Sequence, residues 1–157
     1  HVLVLIDQMR KRVKTSGVTS FSDAISACER SVQWEHALSL LDKTRKFCVT
    51  CDLFSFNAAI SACEKGEQWE HAIWLLDKMH VAGLTSNLAS LNAAMSACEK
   101  GEQFECVLSL FDEMCKRGMT SDVISFGAAI LSCFQLWELK GALSLFSKMQ
   151  EAGMTAS

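Results

Sequence analysis

The chain has 157 residues, of which 50% are hydrophobic and 21% charged, with no proline and a formal net charge of −3. This balance excludes an intrinsically disordered chain, and no apolar run approaches the roughly 18 residues that a transmembrane helix needs. The acidic balance also argues against a sequence-blind nucleic-acid binder, because such proteins gain most of their affinity by neutralising phosphates. The lack of proline favours a nearly all-helical chain, since proline breaks helix interiors.

A period of 35 residues runs through the chain without insertion or deletion. Two series mark this step: Cys28, Cys63, Cys98 and Cys133, and Trp34, Trp69, Phe104 and Leu139. A fixed period of this size indicates stacked supersecondary units. In chain order we assign residues 1–17 to the second helix of a truncated repeat, then repeat 1 (18–52), repeat 2 (53–87), repeat 3 (88–122) and repeat 4 (123–157). We expect one continuous solenoid that is a fragment of a longer array.

Each repeat is predicted to be a helical hairpin. In repeat 2, the spacing i, i+3, i+4, i+7 gives the first half one apolar helical face, formed by Phe56, Ala59, Ile60 and Cys63. The second half has a similar face, formed by Trp69, Ala72, Ile73, Leu76 and Met79. Ser55 is expected to cap the first helix and Gly66 to end it, and Gly83 is expected to end the second helix in a left-handed conformation. One hairpin cannot bury both apolar sides, so the predicted fold is an all-α solenoid of stacked hairpins.

Residues that could support other chemistry do not form a recognisable site. The repeated cysteines are interpreted as small buried hydrophobic residues, because equivalent atoms in stacked helices lie about 9–10 Å apart, too far for a disulfide. The C-x-x-C at Cys48 and Cys51 lacks the second ligand pair of a zinc site, and His36 and His71 are interpreted as surface or packing residues. There is no glycine-rich phosphate loop, nucleophile elbow or deaminase signature. We therefore expect no catalysis, metal or cofactor.

The segment "SFNAAISACEKGEQWEHAIWLLDKMHVAGLTSN" resembles the pentatricopeptide repeat, and the resemblance covers the whole chain. The residues that match the family pattern are Phe56, Asn57, Gly66, Ala72, Met79 and Gly83. The repeated sequence is similar to that of the highly repetitive algal-type members of the family. The unbroken 35-residue step argues against the tetratricopeptide repeat, whose period is 34 residues. The resemblance implies a right-handed superhelix. The family's proline near the end of each repeat is replaced by Cys51, Ser86, Ser121 and Ala156, which predicts less rigid connectors.

The resemblance implies single-stranded RNA binding in mitochondria or plastids, as part of organellar RNA processing, with no membrane partner. Each repeat of this family reads one base with two side chains. Carried over, the base-reading pairs are Ser22 with Asp52, Asn57 with Asn87, Asn92 with Asp122, and Gly127 with Ser157. An Asn amide donates and accepts, whereas Asp only accepts. The implied target is 5′-G-(C/U)-U-N-3′, because Ser/Asp favours G, Asn/Asn a pyrimidine and Asn/Asp U, while Gly127 has no side chain to read a base.

Two further sets of residues are implied to contact RNA. The second residue of each repeat is expected to flank the bases: Thr19, Phe54, Ala89 and Ile124. Three cations late in the first helices are expected to contact phosphates: Arg30, Lys65 and Lys100. Three such contacts predict a salt slope of about −2.

Other interpretations of the same residues remain open. An Asn early in a helix often satisfies local backbone, and an Asp or Asn that ends a repeat often caps the next helix. Arg30, Lys65 and Lys100 each follow a Glu, as on a solvated polar face. The alternative function is a helical scaffold for protein–protein interaction, which would make protein segments the partners.

Overall fold

The computed structural model describes residues 17–46, 52–119 and 123–151. These ranges form eight helices and no strand: α1 (Gly17–Arg30), α2 (Trp34–Lys46), α3 (Leu53–Lys65), α4 (Trp69–Val81), α5 (Leu88–Lys100), α6 (Phe104–Lys116), α7 (Val123–Gln135) and α8 (Leu139–Glu151). The predicted helix in residues 1–17 falls almost entirely outside the described residues. In the described ranges no helix has the length and apolar character required to cross a membrane.

The helices stack as a two-layer solenoid. The first helices α1, α3, α5 and α7 pack on one another as an inner layer. Each second helix packs on its own hairpin partner, and α2, α4 and α6 also pack on the first helix of the following repeat. Since both layers are built from helical hairpins at a 35-residue step, the predicted all-α solenoid is confirmed.

Small side chains form the contacts within and between hairpins. Ala59, Ala62, Cys63 and Ala72 are all fully buried. The four repeated cysteines are buried free thiols, as the sequence predicted, and burial raises the pKa of Cys63 to about 12. Cys48 and Cys51 lie outside the described residues.

The turn between the two helices of a hairpin has its left-handed residue one position after the glycine that ends the first helix. α3 ends at Lys65 as expected, but Gly66 has a φ of −84°, and the left-handed residue is Glu67, with a φ of 57°. Its N–H donates to the Glu64 carbonyl, and the next N–H donates to the Cys63 carbonyl, which is the Schellman arrangement. Val32, Glu102 and Trp137 take the same conformation in the other three repeats.

A glycine is required at position 66 by packing and not by backbone conformation, because a φ of −84° is open to any residue. A Cβ at Gly66 would lie 2.4 Å from Cδ1 of Trp34, and one at Gly101 would lie 2.3 Å from Cδ1 of Trp69. The indoles of Trp34 and Trp69, each at the start of a second helix, therefore lie against the inter-helix turn of the next repeat. This explains the shared period of Trp and Gly: the aromatic ring is half-buried core, and the glycine makes room for it.

The connector after α4 is held by hydrogen bonds in place of a proline. Gly83 has the predicted left-handed conformation, with a φ of 76°. Ser86 is buried and accepts hydrogen bonds from the Arg117 guanidinium, at 2.6 Å on its hydroxyl and 2.5 Å on its carbonyl. These hydrogen bonds restrain the connector at Ser86, while its lower rigidity relative to a proline connector stays a prediction; Cys51, Ser121 and Ala156 lie outside the described residues.

Candidate nucleic-acid interface

Side chains about 30 residues apart in the sequence meet at the start of the first helices. Asn57 Nδ2 donates to Asn87 Oδ1 at 3.3 Å, and the Ser22 hydroxyl approaches Asp52 Oδ1 at 3.5 Å. Both predicted pairs that lie wholly within the described residues are thus brought together. In repeats 3 and 4, Asp122 and Ser157 lie outside the described residues.

The third-position serines of repeats 2 and 3, Ser55 and Ser90, join these pairs, and sequence reasoning missed this role. Ser90 N–H donates to Asn87 Oδ1 at 3.0 Å while the Asn87 N–H donates to the Ser90 hydroxyl at 2.8 Å, which makes a capping box. Ser55 N–H likewise donates to Asp52 Oδ1 at 2.9 Å. The helix cap is therefore Asp52, and the prediction that Ser55 caps α3 is wrong.

The third-position serines also contact the fifth residue of the preceding repeat. Ser125 donates to Asn92 Oδ1 at 2.7 Å, and the Ser22 and Ser55 hydroxyls lie 2.8 Å apart. The recurrence of serine at positions 20, 55, 90 and 125 was the available signal. Ser55, Ser90 and Ser125 are buried, and their hydrogen bonds fix where the neighbouring reader side chains lie.

Capping decides which atoms the pair can offer to a ligand. Asn87 Oδ1 faces Ser90 and Asn57, so its Nδ2 is the group left without a partner among the described residues. Asp52 uses Oδ1 in the same way, which leaves Oδ2 without one in the described ranges. Asn87 thus presents a donor where Asp52 presents an acceptor.

The hydrogen bonds at Asp52 also affect its ionisation. Partial burial alone would raise the pKa of this carboxyl group. The hydroxyl and backbone N–H of Ser55, with the Ser22 hydroxyl, outweigh burial and hold its pKa below the ordinary value of 3.8. Asp52 is therefore a charged acceptor at neutral pH.

The second residues of the repeats lie on the surface. Phe54 is 59% exposed and Ile124 is 75% exposed, and Ala89 is also exposed. The side chain of Thr19 is outside the described set. The inner layer therefore presents Phe54, Ala89 and Ile124 near the capped helix ends, where the resemblance implies that bases are flanked.

Ion pairs connect the predicted phosphate-binding lysines to the preceding repeat. Lys65 Nζ lies 3.0 Å from Glu29 Oε1, and Lys100 Nζ lies 3.1 Å from Glu64 Oε1. The same carboxylates accept from Ser61 and Ser96, both at 2.9 Å. Arg30 has no ion-pair partner among the described residues. Two of the three predicted cations are thus already neutralised.

The comparisons with known proteins agree with this repeat architecture. A sequence model of the family described as "Pentacotripeptide-repeat region of PRORP" matches residues 8–157. A comparison with curated protein sequences gives no significant match.

Solved structures with the same fold include three informative relatives. The PPR domain of Arabidopsis thaliana protein-only RNase P 1, in complex with tRNA, has a TM-score of 0.77 at 16% identity over 88% of this chain and 73% of that one. Nuclear proteinaceous RNase P 2 of A. thaliana has a TM-score of 0.78 at 16% identity over 90% of this chain and 32% of that one. The pentatricopeptide repeat protein PPR10, in complex with an 18-nt psaJ RNA element, has a TM-score of 0.72 at 20% identity over 88% of this chain.

The chain spans only 20% of the length of PPR10, so it corresponds to a part of that repeat array. At these identities the structures show the common fold, and the family match covers nearly the whole chain. We conclude that the chain belongs to the pentatricopeptide-repeat family.

Proposed function

We propose that the chain binds single-stranded RNA, with one repeat reading one base, and that it acts in organellar RNA metabolism in mitochondria or plastids. The observation that carries the proposal is the meeting of Asn57 with Asn87 and of Ser22 with Asp52. In each pair, the two side chains that would share one base lie side by side at the start of a first helix, where Asp52 is exposed, Asn57 and Asn87 are half-buried and Ser22 is buried. Relatives of the same fold have been solved with tRNA and with an 18-nt RNA, which supports RNA as the ligand.

The atoms left free by capping support the assignment of bases. The Nδ2 of Asn87, which has no partner among the described residues, is a donor and suits N3 of cytosine, an acceptor. The Oδ2 of Asp52, likewise without a partner there, is an acceptor and suits the N–H groups on the Watson–Crick edge of guanine. An Asp facing cytosine N3 would place one acceptor against another, with no proton to share. The choice between Asn and Asp therefore discriminates between bases.

Asn57 adds an unsatisfied polar atom to the site. Its Oδ1 is buried and has no partner among the described residues, a condition that costs about 1–3 kcal/mol. A base that donates to this oxygen, such as cytosine through its amino group, would recover part of that free energy after a small rotation of the amide. This unpaired acceptor supports a base that carries a donor at this place.

The test varies one base at a time. Labelled RNAs that contain 5′-GCNN-3′, with each of the four bases opposite repeat 3, are titrated by fluorescence anisotropy at low salt. We expect U to bind tightest at this place by about five- to tenfold, the value of one hydrogen bond, and Asn92→Thr to shift the preference toward G. Ser109→Thr, on the exposed side of α6, is the matched control. Equal binding of all four bases, or no RNA binding, would contradict the proposal.

A further inference from the structure

The peptide unit between Ser86 and Asn87 is held at both of its polar atoms. On the carbonyl side, Nη2 of Arg117 donates to the Ser86 oxygen at 2.5 Å. On the amide side, the Asn87 N–H donates to the Ser90 hydroxyl at 2.8 Å. Because the peptide is planar, rotation about either flanking bond would break one of these contacts. Two residues of repeat 3 therefore set the direction in which Asn87 leaves the connector that ends repeat 2.

The Arg117 guanidinium holds two oxygens of the same residue. Its Nη1 donates to the Ser86 hydroxyl at 2.6 Å, and Ser86 is buried. Glu113, one turn earlier on α6, accepts from the same Nη1 at 3.2 Å. The planar fork of an arginine suits two neighbouring acceptors, and hydrogen bonds from a charged donor are stronger than neutral ones. Arg117 therefore restrains Ser86 more firmly than a single neutral hydrogen bond would.

The Ser86 hydroxyl also connects this contact to repeat 2 itself. Nε2 of His80, in the last turn of α4, lies 3.2 Å from Ser86 Oγ. A hydroxyl can donate one hydrogen bond while it accepts others, so Ser86 can bond to Arg117 and His80 at once. The ends of α4 and α6 thus converge on the residue that precedes Asn87.

Repeat 3 alone carries an arginine at this place in the sequence. The thirtieth residues of the four repeats are Phe47, Ala82, Arg117 and Ala152. The arginine of repeat 3 holds the connector that ends repeat 2, so the corresponding residue for the connector that ends repeat 1 is Ala82. Its methyl group has no donor. The contact is therefore particular to the reader that ends repeat 2.

The orientation of Asn87 decides what its amide can offer to a base. Its Oδ1 accepts from the Ser90 N–H at 3.0 Å and from Asn57 Nδ2 at 3.3 Å. These two contacts fix the direction of its own Nδ2, which has no partner among the described residues. Hydrogen bonds weaken steeply once the donor angle falls below about 120°. Discrimination by this donor therefore requires a backbone that keeps residue 87 from turning.

We infer that Arg117 is a positioning residue for base recognition by repeat 2: it holds the Ser86 carbonyl so that the amide of Asn87 meets the base in one orientation. This role rests on the proposed function and deepens it. Repeat 2 does not read its base alone, since its preference depends on a side chain of the following repeat. Repeat 1 has no such dependence, because Ala82 replaces the arginine.

Base preference distinguishes positioning from a general contribution to binding or folding. Labelled RNAs containing 5′-GNUA-3′, with each of the four bases opposite repeat 2, are titrated against the full chain by fluorescence anisotropy at low salt. The wild type should prefer C by about five- to tenfold, the value of one hydrogen bond. In Arg117→Ala the four bases should bind within about twofold of each other, while U remains preferred opposite repeat 3, which shows that the variant is folded.

Two further variants separate charge from geometry. Arg117→Lys keeps the charge and can reach one of the two Ser86 oxygens, so it should recover part of the preference for C. Lys116→Ala is the matched control. It removes the same charge one residue away, from a side chain that is 75% exposed and pairs with Asp112 within α6. This control should keep the wild-type preference.

A preference for C that survives in Arg117→Ala would overturn the positioning role. So would a loss of affinity by the same factor for all four bases, because Arg117 would then contribute to folding or to phosphate binding. In both cases the proposed function stands, since the wild type still discriminates opposite repeat 2. A wild type that binds all four bases equally at that place, or binds no RNA, would overturn both.

Discussion

Removing two carboxylates should make RNA binding tighter and more sensitive to salt. Glu29 and Glu64 pair with Lys65 and Lys100, so in the wild-type chain only Arg30 of this series is free to bind a phosphate. The double variant Glu29→Gln/Glu64→Gln keeps oxygens that accept from Ser61 and Ser96 but releases both lysines. One free cation predicts a salt slope of about −0.7, and three predict about −2.

The difference is large enough to measure. Raising salt from about 50 to 200 mM should weaken wild-type binding about 2.5-fold and the double variant about 18-fold. Fluorescence anisotropy with one labelled RNA, at four or five salt concentrations, gives both slopes. The wild-type slope should then be shallower, at about −0.7, than the value of about −2 that three free cations would give.

A second pair of substitutions controls for net charge. Glu70→Gln/Glu105→Gln makes the same change in charge on exposed residues in the first turns of the second helices. This control should keep the wild-type slope. Equal slopes in all three proteins would refute the reasoning, because Lys65 and Lys100 would then not face the RNA.

Three predictions concern the packing, turn and helix-capping residues that position the site. Gly66→Ala should lower the free energy of unfolding by about 1–3 kcal/mol through overpacking, and Trp34→Phe should reduce that cost in a double-mutant cycle measured with urea. Val32→Gly should raise the free energy of unfolding by about 1 kcal/mol, because a β-branched residue is strained at a φ of 54°; an unchanged urea midpoint would count against this. The lowered pKa of Asp52 gives stability that is present above its ordinary value of 3.8 and is lost as pH falls through the folded-state value. Asp52→Asn keeps the cap and should flatten the stability curve in that acidic range, and a curve identical to wild type would contradict the cause given for the shift.

The fold could be predicted because its main signal is local and repeated. The 35-residue period, the apolar faces and the small alanines are visible in one repeat, and each acts within its own hairpin or the adjacent one. The contact between Asn57 and Asn87 could also be predicted, since the family pattern places each of them near the start of a first helix, Asn57 in α3 and Asn87 before α5.

The hydrogen bonds and ion pairs between repeats could not be predicted in the same way. The Lys65–Glu29 pair depends on the offset between stacked first helices, which no single repeat encodes. Gly66 was expected to end the helix, and it does so, but the reason for a glycine there lies in another repeat: Trp34 leaves no room for a Cβ at Gly66. The left-handed residue of the turn is Glu67. Ser55 was expected to cap the helix because it is a good capping residue, yet Asp52 lies where its carboxylate reaches the Ser55 N–H.

One substitution tests the central claim most directly. Asn87→Asp turns the Asn57/Asn87 pair into the Asn/Asp combination of repeat 3, and Asp and Asn cap helices equally well, so the fold is retained. The change replaces the amide donor, Nδ2, by a carboxylate acceptor. In an anisotropy titration with all four bases opposite repeats 2 and 3, we expect the preference opposite repeat 2 to move from C to U while that opposite repeat 3 stays at U. A preference opposite repeat 2 that does not move, or one that moves at both places, would contradict base reading by this pair.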